Sequence, residues 1–222
     1  MELFPSEYIH VGGDECPKGR WEACLKCRAR IRTEGLADED ALQDYFINRI
    51  EEHVRSRGRT LIGWDEILDG GINTGAVVMS WRGNGETGCL KAVEAGHRVI
   101  MSPSYSFYLD YPQTSQEDSL AADWGGVTTV KEVYQYDPVL PGLSETEAEL
   151  VIGAQANIWT EYMNNPSKVE YMAFPRLSAV SEVLWSSPRS RDWEDFRLRM
   201  QHQYERYRLW GVRFNPANLT LE

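Results

Sequence analysis

The sequence predicts an α/β protein with a parallel sheet of the (β/α)8 TIM-barrel type, in which the barrel is incomplete. Short apolar runs alternate with longer amphipathic stretches along the 222 residues, which is typical of a parallel sheet covered by helices. No Gly-x-Gly-x-x-Gly motif follows the first apolar run, and this disfavours a dinucleotide-binding fold. Five strand candidates are too few to close a barrel of eight, so either further strands are hidden or the chain begins partway around the barrel.

The strand candidates are short, apolar and flanked by turn residues. They are residues 7–13, 59–64, 76–81, 97–102 and 151–157. Helices are predicted at residues 38–57, 87–95, 166–187 and 191–210, where apolar residues recur at helical spacing. The first of these helices begins with an acidic turn and stops at Gly58. Residues 103–128, rich in Ser, Pro, Asp and Gly, are expected to form an active-site loop insertion.

Composition narrows the class of partner. A net charge of -11 and a pI near 4.9 argue against nucleic acid, because no basic stripe is offered to phosphates. No apolar run reaches the roughly 20 residues of a membrane helix, and the first residues lack the features of a secretory signal. The 8 Trp and 11 Tyr residues indicate a heavily packed core or a binding site walled by aromatic rings.

Three of the four cysteines cluster near the N-terminus, at Cys16, Cys24 and Cys27. The last two have the spacing of a zinc knuckle, but no second Cys-x-x-Cys or His pair follows within reach. We therefore expect reduced thiols or a local disulfide here and no metal site.

The first strand candidate ends in two glycines and two adjacent carboxylates, Gly12-Gly13-Asp14-Glu15. Inside a strand the two acids would point to opposite faces, so both can reach one ligand only where the strand frays into a loop. Carboxylates at the C-terminal end of a strand are expected for acid–base chemistry in an α/β enzyme. For these four residues taken alone, a solvated acidic loop is the alternative.

The other strand candidates also run into residues that could touch a polar ligand. They are Trp64-Asp65-Glu66, Ser80-Trp81-Arg82, Met101-Ser102-Pro103 leading to Tyr108-Leu109-Asp110, and Trp159-Thr160-Glu161. In a barrel all of these would face one mouth, where such enzymes keep their sites. Aromatic faces with interleaved carboxylates suit a sugar. Each residue also has a structural alternative: a tryptophan in the core, an acid that starts a helix, a turn cap at Asp110 or a solvated acid at Glu161.

In this order the motifs resemble those of glycoside hydrolase family 20, the β-N-acetylhexosaminidases. The motifs are His10 to Glu15, Leu61 to Leu68, Met79 to Gly83, Tyr108 to Asp110 and Trp159 to Glu161, and the stretch from Phe174 to Ser186 looks like the last barrel helix of the family. The resemblance extends from Tyr8 to about Trp210. It implies that residues 1–222 are the C-terminal portion of the catalytic barrel, about strands four to eight.

The resemblance implies a role for each matching residue. Glu15 would be the general acid and later the base, Asp14 would orient the 2-acetamido group of the substrate, and Tyr108 would hydrogen-bond the acetamido oxygen. The remaining positions would hold the sugar: Trp64, Trp81 and Trp159 as pocket walls, Asp110 and Glu161 as partners of hydroxyl groups, and His10 in the polar network beneath the acid. No cofactor is implied, and the expected partners are glycans that contain N-acetylhexosamine.

Adjacent acids suit a particular mechanism. An ordinary retaining glycosidase holds two carboxyls about 5 Å apart across the scissile bond, one of them as nucleophile, and sequence neighbours fit that arrangement poorly. In the substrate-assisted variant the acetamido oxygen attacks the anomeric carbon. The enzyme then needs an acid with a raised pKa and a neighbouring anion facing an oxazolinium-like cation. A chitinase-like barrel, which shares this chemistry, would carry Asp-x-x-Asp-x-Asp-x-Glu, and that motif is missing.

The family's smaller N-terminal domain, its first three barrel strands and the sugar-gripping Arg of its first strand have no counterpart here. Met1 and the terminal Leu221-Glu222 suggest a C-terminal fragment. An incomplete barrel leaves two strand edges open, so we expect self-association, such as a homodimer through these edges, and weak or absent hydrolysis by this chain alone. A catalytically silent sugar-binding or scaffold piece is the alternative. The parent protein is expected in the periplasm, at the cell surface or outside the cell.

Overall fold

The computed structural model describes residues 3–114 and 126–216. All five predicted strands are present in one sheet of order β1-β2-β3-β4-β5, and β1 to β4 pair in parallel. The strands are β1 Tyr8–His10, β2 Thr60–Trp64, β3 Val77–Ser80, β4 Arg98–Met101 and β5 Val151–Ala154. The helices are α1 Gly19–Ala23, α2 Leu25–Glu34, α3 Glu39–Ser56, α4 Glu86–Glu94, α5 Ser104–Phe107, α6 Val130–Gln135, α7 Glu145–Ala148, α8 Pro166–Ala173, α9 Arg176–Trp185 and α10 Trp193–Trp210. Within the described ranges, none of these helices has the length and apolar character to cross a membrane.

The helix predicted at 166–187 is wrong in one respect, because the structure breaks it into α8 and α9. The break falls at Phe174, whose φ of -104° and ψ of 138° are extended. Proline at 175 excludes the preceding residue from the helical region. The sequence pattern also did not predict α1 and α2. Neither helix has a buried residue, so neither shows apolar residues repeating at helical spacing.

The chain divides into two compact units. The first comprises residues 3–101 and 141–152. Its central strand β3 is buried at every position, as expected for a parallel strand covered on both faces. On one face of β2 and β3, Ile62, Trp64, Val77 and Met79 form an apolar cluster. This packing fixes the strand ends from which the polar residues project.

The second unit comprises residues 102–114, 126–140 and 153–216. Its core is formed where α9 packs with α6 and α10. The buried members from these helices are Val130, Val133, Tyr134, Ala179, Val180, Val183, Phe196, Met200, Tyr204 and Tyr207. In the first unit, α3 is capped by a side chain: Asp38 accepts the Ala41 N–H at 2.9 Å at the start of the helix, which fits the acidic first turn expected from the sequence. Of the predicted loop 103–128, residues 104–107 form α5, and residues 115–125 lie outside the described residues.

Candidate active site

The two adjacent acids lie in a left-handed turn directly after β1. Gly12 and Gly13 have φ values of 75° and 103°, and Glu15 has a φ of 43°, a region that residues with a side chain rarely adopt. Backbone strain of this kind persists only when surrounding contacts enforce it, and it concentrates at functional sites. The turn leaves Asp14 partly buried and Glu15 exposed.

Side chains outside the turn hold it in place. Gln43 of α3 donates to the Gly13 carbonyl at 2.9 Å, and the Lys18 ammonium donates to the Cys16 carbonyl at 2.8 Å. Lys18 also donates to the Gln43 amide oxygen, which links the two tethers. The acids are therefore presented by a turn anchored on both sides to a long helix.

His10, Trp64 and Trp81 form a chain of edge-on ring contacts beside this turn. The ring centroids of His10 and Trp64 are 4.9 Å apart, and those of Trp64 and Trp81 are 6.4 Å apart. The Gly12 N–H donates to His10 Nδ1 at 3.1 Å, which requires that nitrogen to be unprotonated. Burial lowers the pKa of His10, and the negative charge of Asp14 opposes that shift. His10 is thus a neutral ring that supports the turn.

Glu66 is a functional candidate to which the sequence assigned no role. Glu15 and Glu66 line one cavity of about 500 Å³. The Trp81 Nε1–H donates to Glu66 Oε2 at 2.9 Å. Burial raises the pKa of Glu66 to about 7, against the opposing effect of the Trp81 hydrogen bond. The carboxyl therefore fixes the indole and titrates near neutral pH.

Glu66→Gln is expected to flatten the pH dependence of stability. Between the ordinary pKa of 4.5 and the raised value of about 7, the folded chain binds more protons than the unfolded chain. The free energy of unfolding should therefore fall as the pH rises through this window. Glutamine keeps an oxygen for Trp81 but does not titrate, so urea unfolding at pH 5 and pH 7 should differ less in the variant. Glu52→Gln, at an exposed position of α3, is the control, and a pH dependence unchanged by Glu66→Gln would contradict this assignment.

Asp65, which directly precedes Glu66, is not a solvated acid at the start of a helix. It is 0% exposed, and its Oδ1 lies 2.8 Å from Arg82 Nε. The Arg82 N–H is not aligned on that oxygen, so the contact is an ion pair and not a directed hydrogen bond. This pair joins the ends of β2 and β3, since Asp65 begins the 3₁₀ turn Asp65–Leu68 that follows β2, and Arg82 lies two residues after the end of β3.

In the second unit, Tyr108 and Trp159 are brought together by a short bridge. Tyr108 pairs in parallel with Asn157, and the Leu109 N–H donates to the Asn157 carbonyl at 2.7 Å. The rings of Tyr108 and Trp159 are 5.8 Å apart at their centroids. Burial raises the pKa of Tyr108, with hydrogen bonds from Trp159 and Asn157 opposing the shift, so the phenol keeps its proton.

Asp110 and Arg176 are buried charges of the same unit, exposed by 1% and 0%. Burial raises the pKa of Asp110, opposed first by the backbone N–H groups of Asp110 and Trp159 and then by the charge of Arg176. Neither carboxylate oxygen meets a well-aligned donor among the described residues. The Arg176 guanidinium donates to four backbone carbonyls, at distances of 2.6 to 3.0 Å: Leu109, Tyr111, Thr128 and Met172. Arg176 therefore fixes the segment that bears Tyr108 and Asp110.

The predicted site residues fall into two groups. His10, Asp14, Glu15, Trp64 and Trp81 belong to the first unit, whereas Tyr108, Asp110, Trp159 and Glu161 belong to the second. Glu161 is exposed. Sequence reasoning did not identify Glu66 as a candidate site residue or Arg176 as a buried anchor. An Arg inside an amphipathic helix is usually solvated, and nothing in the pattern distinguishes one that is fully buried.

Fold and site together define a (β/α)-barrel type of protein whose strand ends present carboxylates and indoles. Residues 1–188 match the glycosyl hydrolase family 20 catalytic domain, and the chain belongs to that family. The expected family and fold class are thereby confirmed.

Relatives agree over nearly the whole chain. A β-hexosaminidase of Porphyromonas gingivalis is 43% identical over 214 residues, which are 96% of this chain and 27% of the relative. A family 20 exo-β-N-acetylglucosaminidase of Vibrio harveyi, solved in complex with N-acetylglucosamine, superimposes with a TM-score of 0.87 at 31% identity, covering 96% of this chain and 34% of that one. A β-N-acetylhexosaminidase of Bacteroides fragilis gives a TM-score of 0.82 at 28% identity, covering 97% of this chain and 44% of that one. The chain thus spans less than half the length of each of these relatives.

Proposed function

We propose that the protein to which this chain belongs hydrolyses terminal non-reducing N-acetyl-β-hexosamine residues by a substrate-assisted, retaining mechanism. Glu15 is the general acid and base, and Asp14 orients the 2-acetamido group. The observation that carries this proposal is the family match combined with the position of the two acids, in a strained turn at the carboxyl end of β1. Barrel enzymes build their catalytic sites at that end of the strands.

Substrate assistance follows from the chemistry that adjacent acids can perform. The acetamido oxygen attacks the anomeric carbon while Glu15 transfers its proton to the departing glycosidic oxygen. The negative charge of Asp14 stabilises the positive charge that develops on the acetamido group. Glu15, now ionised, removes a proton from the water that opens the oxazolinium ion, and the anomeric configuration is retained. A protein nucleophile is not needed.

Sugar recognition is proposed for the aromatic and buried polar residues. Trp81 offers ring surface to the acetamido methyl group and the sugar, and Glu66 fixes its indole. Trp64, which is 8% exposed and contacts the Trp81 ring, is proposed as a wall of the same pocket. Tyr108 keeps its proton and can donate to the acetamido oxygen, with Trp159 as a further wall. Asp110, and in the same way Glu161, would accept hydrogen bonds from sugar hydroxyls. Burial without an aligned donor supports this role for Asp110, because such a group gains most from a partner.

The proposal is tested by hydrolysis of aryl N-acetyl-β-glucosaminides and N-acetyl-β-galactosaminides by the full-length protein and by the 222-residue chain. We expect turnover by the full-length protein and weak or no turnover by the chain alone. An aryl β-glucoside is the matched control substrate, because it lacks the acetamido nucleophile. Hydrolysis of that glucoside at a comparable rate would contradict substrate assistance.

A non-catalytic amino-sugar-binding or scaffold role is the second candidate. It would be favoured if the full-length protein bound N-acetylglucosamine but released no product from any of these substrates. The exposed ring of Trp159 and the aromatic contacts alone would satisfy such a binder. Backbone strain occurs at ligand clamps as well as at active sites, so turnover, and not the turn at Glu15, separates the two candidates.

Self-association of the isolated chain is proposed for its open sheet edges. Strands β1 and β5 stand at the two ends of the strand order. Unpaired strand edges offer N–H and C=O groups to another chain. We expect size-exclusion chromatography with light scattering to show a dimer or a larger species, and a stable monomer with no exposed apolar surface would contradict this expectation.

A further inference from the structure

Cys24 and Cys27 lie together in the first turn of α2. Cys24 is the N-cap, with a φ of -84° and a ψ of 116°, and its carbonyl accepts the Arg28 N–H at 3.0 Å. Residues three apart in a helix have Cα atoms about 5 Å apart. That separation is inside the range of about 4.4–6.8 Å found in disulfides, so the spacing of the two residues is compatible with a disulfide between them.

The two thiols already interact, and the interaction makes them unequal. The backbone N–H of Cys27, then the Cys27 thiol and the backbone N–H of Lys26, lower the pKa of Cys24. Contact with Cys24 is the main cause that raises the pKa of Cys27, followed by burial. In a redox-active dithiol, the thiol of lower pKa attacks and the other thiol resolves the mixed disulfide, and the opposite pKa shifts of Cys24 and Cys27 follow that pattern.

The exposure of Cys24 and Cys27 differs from that of Cys89, the thiol in the core of this unit. Cys24 and Cys27 are partly exposed free thiols. Cys27 opens onto a groove of about 690 Å³ beside α3, with Trp21 and Lys26 among its lining residues. Cys89 is fully buried, and burial raises the pKa of its thiol to about 11. Reactivity is therefore expected at the N-terminus of α2 and not at Cys89.

We propose that Cys24 and Cys27 are a redox-active dithiol that reduces low-molecular-weight disulfides and becomes an intramolecular disulfide. The Cys24 thiolate attacks one sulfur of the small disulfide, forms a mixed disulfide and releases the first small thiolate. The Cys27 thiol then gives up its proton and attacks the Cys24 sulfur, and the second small thiolate leaves and takes up that proton. Two protein thiols are oxidised while one disulfide is reduced to two thiols. This site is independent of the proposed hydrolysis.

The test exposes the full chain to glutathione disulfide, stops exchange with acid, alkylates the remaining thiols and locates them by peptide mass. In the wild-type chain we expect a bond between Cys24 and Cys27 with no lasting glutathione adduct on either residue. Cys27→Ser should trap glutathione on Cys24, and Cys24→Ser should react about tenfold more slowly. Cys16→Ser is the matched control and should behave as the wild type. Circular dichroism checks folding, and α1 and α2 bury no residue, so the serine variants are expected to fold.

Three results would overturn the proposal. The first is a disulfide that joins Cys16 to either residue in place of the Cys24–Cys27 bond. The second is a glutathione adduct that persists on Cys24 or Cys27 in the wild-type chain. The third is formation of the glutathione adduct on Cys24 of the Cys27→Ser variant at a rate no faster than that of adduct formation on Cys16.

Discussion

Glu15→Gln in the full-length protein is expected to lower kcat for hydrolysis of an N-acetylglucosamine disaccharide by about a thousandfold. General acid–base catalysis typically contributes about 10²–10⁴-fold, and glutamine has nearly the same size but no proton to transfer. The loss should be smaller for an aryl glycoside with a nitro substituent, because a phenolate of low basicity departs with little protonation. Affinity for N-acetylglucosamine should persist, since Glu15 is exposed and the turn is held by Gln43 and Lys18.

Asp14→Asn and a surface control complete this experiment. Because Asp14 is proposed to stabilise charge on the acetamido group, its loss should slow both substrates to a similar extent. Glu22→Gln, at an exposed position of α1, should leave both rates unchanged. If Glu15→Gln retains its rate within about twofold on the disaccharide, Glu15 is not the general acid, because that loss is far below the range for acid–base catalysis.

Arg176→Ala is expected to lower the free energy of unfolding of the chain by about 3–5 kcal/mol, the range found when one partner of a buried charged network is removed. The substitution leaves four backbone carbonyls without the Arg176 donor and removes the positive charge that opposes the burial of Asp110. Burial lowers the pKa of Arg176 to about 9, so the guanidinium is charged at neutral pH and its hydrogen bonds are intact there. Urea unfolding followed by tryptophan fluorescence measures the loss.

Local readouts separate this role from general damage. Arg176→Lys should recover only part of the stability, because one ammonium cannot reach all four carbonyls with the geometry of a planar guanidinium. Hydrogen exchange of the Leu109 amide should accelerate, since Arg176 holds the Leu109 carbonyl at 2.6 Å. Arg206→Ala, an exposed substitution on α10, is the control. A cost of Arg176→Ala no greater than that of the control would refute the anchoring role.

The sequence by itself determined the parallel sheet, its five strands and the family. A chain in which apolar runs of strand length alternate with helical patterns can bury its apolar residues in few folds other than a parallel sheet covered by helices. Acids that follow two glycines after an apolar run indicate where a strand ends. It also determined that α3 starts at an acidic turn, because capping depends on neighbours along the chain. The boundary between α8 and α9 depends on one proline, and the continuous apolar pattern on both sides of it did not predict the break.

Only the tertiary structure decided which polar residues are buried. Asp65 and Glu66 are identical in kind and adjacent in sequence, yet one is sealed against Arg82 while the other lines a cavity with Glu15. Arg176 is one of many arginines, and only packing takes it out of water. Desolvation, which sets the pKa of Glu66 and the structural value of Arg176, depends on atoms that are distant along the chain, and a local pattern of residues does not contain that information.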